Sequence, residues 1–315
     1  MKTTLLDRFK GSLIGLTVGD ALGGKFEGQT AAHIHARVPS LGALMQYPAK
    51  SLWYTDDTQM MIGVAETLIT YQSMEEEALC KAFVQNYVPS RGYGQGARAV
   101  LEAMEEGRDY HFTANNIFPG GSYGNGAAMR VAPIGLFFRD HPEELISQAR
   151  LSALPTHTHP LGIEGAIILA GAVGYVSSID SIDKNTFLDH LFTVSSSSVF
   201  QEKIELTRRI SRQEAIIQLG NGIAAQESVI TAIACFLQSP DSFEETIGHA
   251  IFLGGDTDTI AAMAGAISGA YLGIDAIPKD LIAKLEDSPK GKAYIFDLAH
   301  KLFDLYADKS GSLIL

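Results

Sequence analysis

The sequence predicts an all-α fold, and three observations carry that prediction. Apolar residues recur at three- and four-residue spacing along most of the chain, the mark of helices with one buried face. Runs that alternate apolar and polar residues, as half-buried strands do, are scarce. Apolar residues make up 46% of the 315 and charged residues 19%, ample for a buried core and unlike a disordered chain. No linker with a shift in composition interrupts the chain, so a single domain over 1–315 is expected.

In chain order, the spacing predicts helices over Leu5–Gly19, Gln59–Tyr71, Glu75–Tyr87, Gly94–Glu105, Ala127–Phe138 and Pro142–Ala153. The second half continues with Gly162–Ser177, Phe200–Ile210, Glu227–Leu237, Phe243–Phe252, Thr259–Leu272 and Ala293–Tyr306. Three of them are rich in glycine and alanine: "LIGLTVGDALGG", "GAIILAGAVGY" and "AAMAGAISGAY". Each interior glycine costs a helix about 1 kcal/mol, which tight tertiary packing must offset. These helices are therefore expected at the centre, with the charged ones outside. Polar "SSIDSIDKN" (177–185) and the serines at 195–198 read as loops within the domain. The glycine-containing turns "FPGGSYGNG" (118–126) and "LGNGIAA" (219–225) are places where a rigid scaffold can carry a binding site.

The net charge of −12 argues against broad nucleic-acid binding, which needs a basic surface. Cys80 and Cys235 offer neither a disulfide framework nor metal-ligand spacing, and read as buried reduced thiols. Asp7, Arg8 and Lys10 interrupt the first apolar stretch and Asp20 stops the next, a poor signal peptide. Ala261–Ile274 is too short to span a bilayer. A soluble, cytoplasmic, monomeric protein is expected.

Two segments carry an unusual pattern. "YTDDTQM" (54–60) and "GGDTDT" (254–259) each set paired aspartates among threonines at the start of a helix. Threonine and aspartate cap helices, and acids in the first turn are favoured by the helix dipole. Capping explains one such residue per helix and explains two aspartates at both starts less well. Were the two starts to meet in space, four carboxylates would converge, which opposes folding without a cation between them. Their hard oxygens suit Mg²⁺, Mn²⁺ or Ca²⁺ rather than zinc. On pattern alone, capping and metal binding both remain open. In "GDALGGKFEG" (19–28), Asp20 and Glu27 each read, taken alone, as a solvated loop acid or helix-end contact, with a buried, backbone-bonded carboxylate for Asp20 and a loop acid closing over a site for Glu27 as the alternatives.

Together, "GSLIGLTVGDALGGKFE", "YTDDTQM", "GSYGNGAAMRVAP", "GNGIAAQESVITAI" and "LGGDTDTIAAMAGAISGAYLG" resemble, in order, the motifs of the ADP-ribosylglycohydrolase family. The third and fourth of these motifs are most similar to its ADP-ribosylhydrolase 3 branch, which removes ADP-ribose from serine and also degrades poly(ADP-ribose) and O-acetyl-ADP-ribose. The resemblance implies an orthogonal helical fold around a cleft holding two Mg²⁺ ions, with Mn²⁺ as a substitute. It implies Thr55, Asp56, Asp57, Asp256, Asp258 and Thr259 as metal ligands, and Glu27 as a flap glutamate at the metals. Gly121, Ser122, Tyr123, Gly124 and Asn125 would hold the diphosphate and distal ribose. His157 would sit at the ligand, Ile223 against the adenosine, and Phe118 stacked on adenine, while His159 has no counterpart. The implied partners are ADP-ribose and ADP-ribosylated proteins or peptides.

The residues suit that substrate. Backbone N–H groups of a glycine-rich loop cradle a diphosphate without lysines, so an acidic protein can bind a dianion. Taken alone, "GGSYGNG" also reads as a surface turn, and His157 as a polar loop histidine. Cleavage at the anomeric carbon builds positive charge on the ribose. The implied catalytic residues are Asp57 and Asp256 through the metals, with Glu27 as general acid or leaving-group positioner. An arginine-linkage hydrolase and a non-catalytic ADP-ribose sensor are the alternative readings.

Overall fold

The computed structural model describes residues 3–47 and 50–311. Among them the secondary structure is helical, with three isolated β-bridges. The first helices are α1 (Leu5–Gly23), α2 (Ala31–Arg37), α3 (Leu41–Met45), α4 (Asp56–Tyr71), α5 (Glu76–Asn86), α6 (Gln95–Glu105) and α7 (Tyr110–Ile117). Then come α8 (Ala132–Phe137), α9 (Pro142–Ala153), α10 (Pro160–Ser177), α11 (Lys184–Val194) and α12 (Ser198–Arg209). The last are α13 (Ala225–Gln238), α14 (Phe243–Phe252), α15 (Thr257–Leu272), α16 (Lys279–Lys284) and α17 (Lys292–Gly311). The all-α expectation holds, and one cluster of buried apolar side chains runs from Phe9 to Leu302.

The glycine-rich helices lie at the centre, as expected. Gly11, Gly15, Gly19 and Gly23 recur every fourth residue and so form one stripe of α1. The stripe faces Gly269, Gly265, Ala261 and Thr257 of α15, which runs the opposite way. A Cβ on Gly11, Gly15 or Gly19 would lie 2.3, 2.4 or 2.1 Å from the carbonyl oxygen opposite. Only residues without side chains let two helices approach so closely. Ser12 Oγ donates to Ala266 O (3.0 Å) and Thr257 Oγ1 to Gly23 O (2.9 Å), which fixes the register. The α1–α15 pair thus sets the C-terminus of α1 against the N-terminus of α15. Helix α10 is long and apolar enough to cross a membrane by composition, and 83% of its apolar window is buried inside the protein.

Several elements differ from the expectation. Helix α4 starts at Asp56 rather than Gln59, so both aspartates of the first motif sit in its first turn, behind Thr55 as N-cap. The helix expected over Ala127–Phe138 is split into a 3₁₀ turn, Asn125–Ala127, and α8. Pro133 is the cause: it lacks the N–H that an unbroken helix would donate to residue 129, and its ring would crowd that carbonyl. Helices α2, α3, α7, α11 and α16 were not predicted. Most are short, and α11 is largely polar, buried only through Phe187, Leu188 and Leu191 and capped by Asp183, which accepts from Thr186 N (2.8 Å).

Candidate active site

The two aspartate motifs meet. Asp20, in the last turn of α1, is fully buried and accepts hydrogen bonds from Thr55 N (2.9 Å), Thr58 N (3.0 Å) and Thr58 Oγ1 (2.5 Å). It thereby takes up two of the unpaired N–H groups at the start of α4. Because α1 is locked to α15, this bond network also sets α4 against the start of α15. A cavity of about 670 Å³ opens there, lined by Asp56, Asp57, Asp256, Asp258, Thr259 and Glu27. Carboxylate oxygens of Glu27, Asp256 and Asp258 lie within 4.8 Å of one another. The reading of the two starts as halves of one acidic cluster is therefore met in space.

Three loops complete the cleft, and backbone hydrogen bonds stitch them together. Asn125 N donates to Ile223 O (2.9 Å) and Ala225 N to Tyr123 O (2.9 Å), pairing the two glycine turns. Asp256 N donates to Asn221 O (2.9 Å), and Asn221 Nδ2 to Leu253 O and Gly254 O (3.0 Å each). On the other side, Gly28 N donates to Gly255 O and Gly255 N to Gln29 O, both 2.9 Å. The Glu27 loop is thus fastened to the turn that carries Asp256. Gly254 and Gly255 have φ of 69° and 78°, a region open to glycine and strained for other residues.

Most of the expected ligand residues line the same cavity: Phe118, Ser122, Gly124, Asn125, His157 and Ile223. Phe118 and Ile223 stand at its mouth, 38% and 71% exposed, and the Phe118 ring lies on Gly96, where a Cβ would come within 2.3 Å of it. Thr55, Gly121 and Tyr123 do not line it. The Thr55 hydroxyl stands behind Asp57 and donates to its Oδ2 (2.9 Å). Gly121 is packed under residue 159, where a Cβ would meet His159 N at 2.4 Å. The exposed Tyr123 ring meets His159 edge-on at 5.7 Å, and His159 caps α10 by accepting from Leu161 N (3.1 Å). That gives the second histidine of "LPTHTHP" a structural role.

Sequence reasoning missed one wall, formed by Gly92, Gly94, Gln95 and Gly96 with Met60 and Met129. The alternate glycines of "RGYGQG" were the available signal. It also missed Asn221 and Ser228, ordinary residues whose importance lies in what they bond.

The electrostatics are severe. Burial, then the charge of Asp20, pushes Asp56 up to about 7. Burial, then neighbouring carboxylates, pushes Asp57 and Asp258 well above the usual range. Burial also raises Asp256 and Glu27, and lifts Asp20 to about 6 against the hydrogen bonds from Thr58 and Thr55. Among the described residues, none of the six forms an ion pair with a basic side chain. Asp57 Oδ1 is buried without a hydrogen-bond partner. A buried orphan oxygen amid like charges, with oxygen donors only, fits a hard divalent cation. His157 goes the other way: burial, then Arg130, pushes it down to about 3, so it is neutral at any working pH.

A pH effect follows. Asp56 titrates near its ordinary value, about 4, when unfolded, and near 7 when folded. It binds a proton on folding between those values, so its stabilisation is complete below about pH 4 and lost as pH rises through about 7. Buried neutral histidines act oppositely, and comparing Asp56→Asn with wild type cancels them. In metal-free protein the two melting temperatures should nearly coincide only below about pH 4, where Asp56 is protonated in both states, and the gap should open steadily above it. At about pH 8 the variant should lead by a few kcal/mol, since each pH unit separating the folded from the unfolded titration is worth about 1.4 kcal/mol. Thermal melts in EDTA read this directly, and a gap that closes as pH rises would contradict it.

Among the described residues, fold and cleft together define the class: an all-helical protein whose cavity joins a carboxylate floor to a glycine-loop wall. The chain belongs to the ADP-ribosylglycohydrolase family, whose model matches residues 1–311. ADP-ribosylhydrolase ARH3 of Danio rerio is 36% identical to it, over 96% of this chain and 91% of that protein. ADP-ribosylhydrolase ARH3 of Homo sapiens is 36% identical, over 87% and 88%. The solved structure of an ADP-ribosylglycohydrolase-related protein complex superposes with a TM-score of 0.73 at 24% identity, over 96% of this chain and 99% of that one, and shares the fold. The protein is accordingly a glycohydrolase enzyme that acts in the removal of ADP-ribose.

Proposed function

We propose that this enzyme is an Mg²⁺-dependent hydrolase that releases ADP-ribose from serine side chains of modified proteins, with Mn²⁺ able to replace Mg²⁺. One observation carries the reading: a single cavity holds the cation-suited carboxylates at its floor and the glycine loop, His157, Phe118 and Ile223 on its walls. Asp56, Asp57, Asp256, Asp258 and Thr259 would hold two ions, with Thr55 orienting Asp57 from behind. The chemistry that bound cations supply is charge to fix the ribose hydroxyls and to acidify the attacking water. The loop around Ser122 and Gly124 receives the diphosphate through main-chain N–H groups. Neutral His157 offers a hydrogen bond there without adding charge. Phe118 and Ile223 flank the adenine at the mouth. Glu27, whose carboxyl is raised by burial and by Asp256, retains its proton to higher pH than an ordinary glutamate. That suits it to protonate the leaving oxygen as the bond to the anomeric carbon breaks.

Serine linkage rests on the similarity of "GSYGNGAAMR" and "GNGIAAQESVITAI" to the branch with that specificity. The test is turnover of serine- and arginine-ADP-ribosylated peptides side by side, with Mg²⁺ and with EDTA. Release of ADP-ribose from the serine peptide, lost in EDTA, is expected. Turnover of the arginine peptide alone would replace serine by arginine linkage. Binding of ADP-ribose without turnover of either peptide would favour the sensor.

A further inference from the structure

Asn125 is expected among the residues that hold the diphosphate, yet its hydrogen bonds leave nothing for that purpose. An asparagine has three N–H donors, one on the main chain and two on the amide. The main-chain N–H donates to Ile223 O (2.9 Å). The amide nitrogen donates to Ser228 Oγ (2.9 Å) and to Asp256 Oδ2 (2.5 Å). The amide orientation follows from its partners. A carboxylate oxygen accepts, and the Ser228 hydroxyl spends its own proton on Ala224 O (3.2 Å), so both face the nitrogen. What remains is Oδ1, an acceptor, which repels phosphate oxygens. Asn125 and Ser228 are both buried, so neither donates to water instead.

We propose that Asn125 is a positioning residue for Asp256 rather than a ligand of the diphosphate, with Ser228 of α13 holding Asn125 in turn. Gripping one oxygen of a carboxylate fixes the direction of the other. Asp256 follows a glycine pair of positive φ, and its side chain makes no bond to the main chain of α15, reaching there only the side chains of Asp258 and Thr259, which line the same floor, so the local backbone does little to hold it. The line Ser228–Asn125–Asp256 ties it to the rigid core helix α13. Groups that orient a metal-ligating carboxylate commonly alter metal affinity about 10- to 100-fold when removed. The diphosphate is then left to Ser122 and the main chain of the loop. The inference rests on the reading of the carboxylate floor as a cation site.

The test is Mn²⁺ titration followed by electron paramagnetic resonance on the full chain, for wild type, Asn125→Ala and Ser228→Ala. ADP-ribose affinity is measured separately at saturating Mn²⁺. Wild type should bind Mn²⁺. Asn125→Ala should bind it about 10- to 100-fold more weakly, and Ser228→Ala more weakly than wild type by a smaller factor. ADP-ribose affinity at saturating metal should stay within about threefold, as befits loss of no direct contact. Unchanged Mn²⁺ binding in Asn125→Ala overturns the inference, as does a large loss of ADP-ribose affinity with metal binding intact. Should Asn125→Ala fail to fold, Ser228→Ala decides, and Mn²⁺ binding equal to wild type overturns the inference. Absence of Mn²⁺ binding by wild type overturns the cation site itself and this inference with it, an outcome read before any variant is made.

Discussion

Asp57→Asn should lose turnover by on the order of a thousandfold or more, while the protein stays folded. The substitution keeps the shape of the side chain and removes its charge. Asp57 is nearly fully buried, Thr55 Oγ1 holds one oxygen, and the other has no protein partner. That orphan oxygen is the group a cation would take. A thousandfold is about 4 kcal/mol of transition-state stabilisation, the scale at which loss of a metal's Lewis acidity acts. The rise in melting temperature on adding Mg²⁺ should vanish in the same variant. In EDTA at neutral pH the variant should be at least as stable as wild type, because a repelling carboxylate is gone. Asp275→Asn, on an exposed turn, serves as control and should behave as wild type. Activity assays with melts in Mg²⁺ and in EDTA measure all of this, and Mg²⁺-dependent turnover surviving in Asp57→Asn would refute the metal role.

The second large effect lies away from the chemistry. Gly19→Ala adds one methyl group, whose carbon would stand 2.1 Å from Ala261 O and 2.5 Å from Ala261 C. Both are backbone atoms of a packed helix and cannot swing aside. Either α1 and α15 separate or both bend. Overpacking of this kind costs typically about 1–3 kcal/mol, occasionally more, and backbone against backbone puts Gly19 at the upper end. Gly42→Ala, in α3 with nothing within 4 Å of its new Cβ, should be neutral or slightly stabilising. Activity of any folded Gly19→Ala protein should fall as well, since Asp20 and the α4 start ride on α1 while Asp256 and Asp258 ride on α15. Urea unfolding of the two variants checks this, and equal midpoints would show that the close approach is not what sets the pair.

The helix content, the central place of the glycine-rich helices and the pairing of "TDDT" with "DTDT" were all legible in the chain. The buried, backbone-bonded role of Asp20 was only one of the readings open in the sequence, and the N–H groups at the start of α4 that decide it belong to the tertiary structure. The short helices α2, α3 and α16 were not legible, since five to seven residues carry too little periodicity to rise above a loop. The break at Pro133 is visible in principle, but the apolar spacing on either side is in phase and masks it.

Residue types at the site came from the sequence because their chemistry is local: aspartates at a helix start and glycines in a turn have the same character in any fold. Hydrogen-bond partners came only from the tertiary structure. "GGSYGNG" reads as one binding loop, yet its members divide. Ser122 and Gly124 face the cavity, Gly121 and Tyr123 turn toward His159, and Asn125 is held by Ser228 and Asp256. A side chain spends each donor once, and which acceptor takes it depends on segments roughly a hundred residues apart brought together by packing. Sequence thus determined which atoms are available for the chemistry, while the α1–α15 contact and the bonds crossing between loops decided where those atoms point.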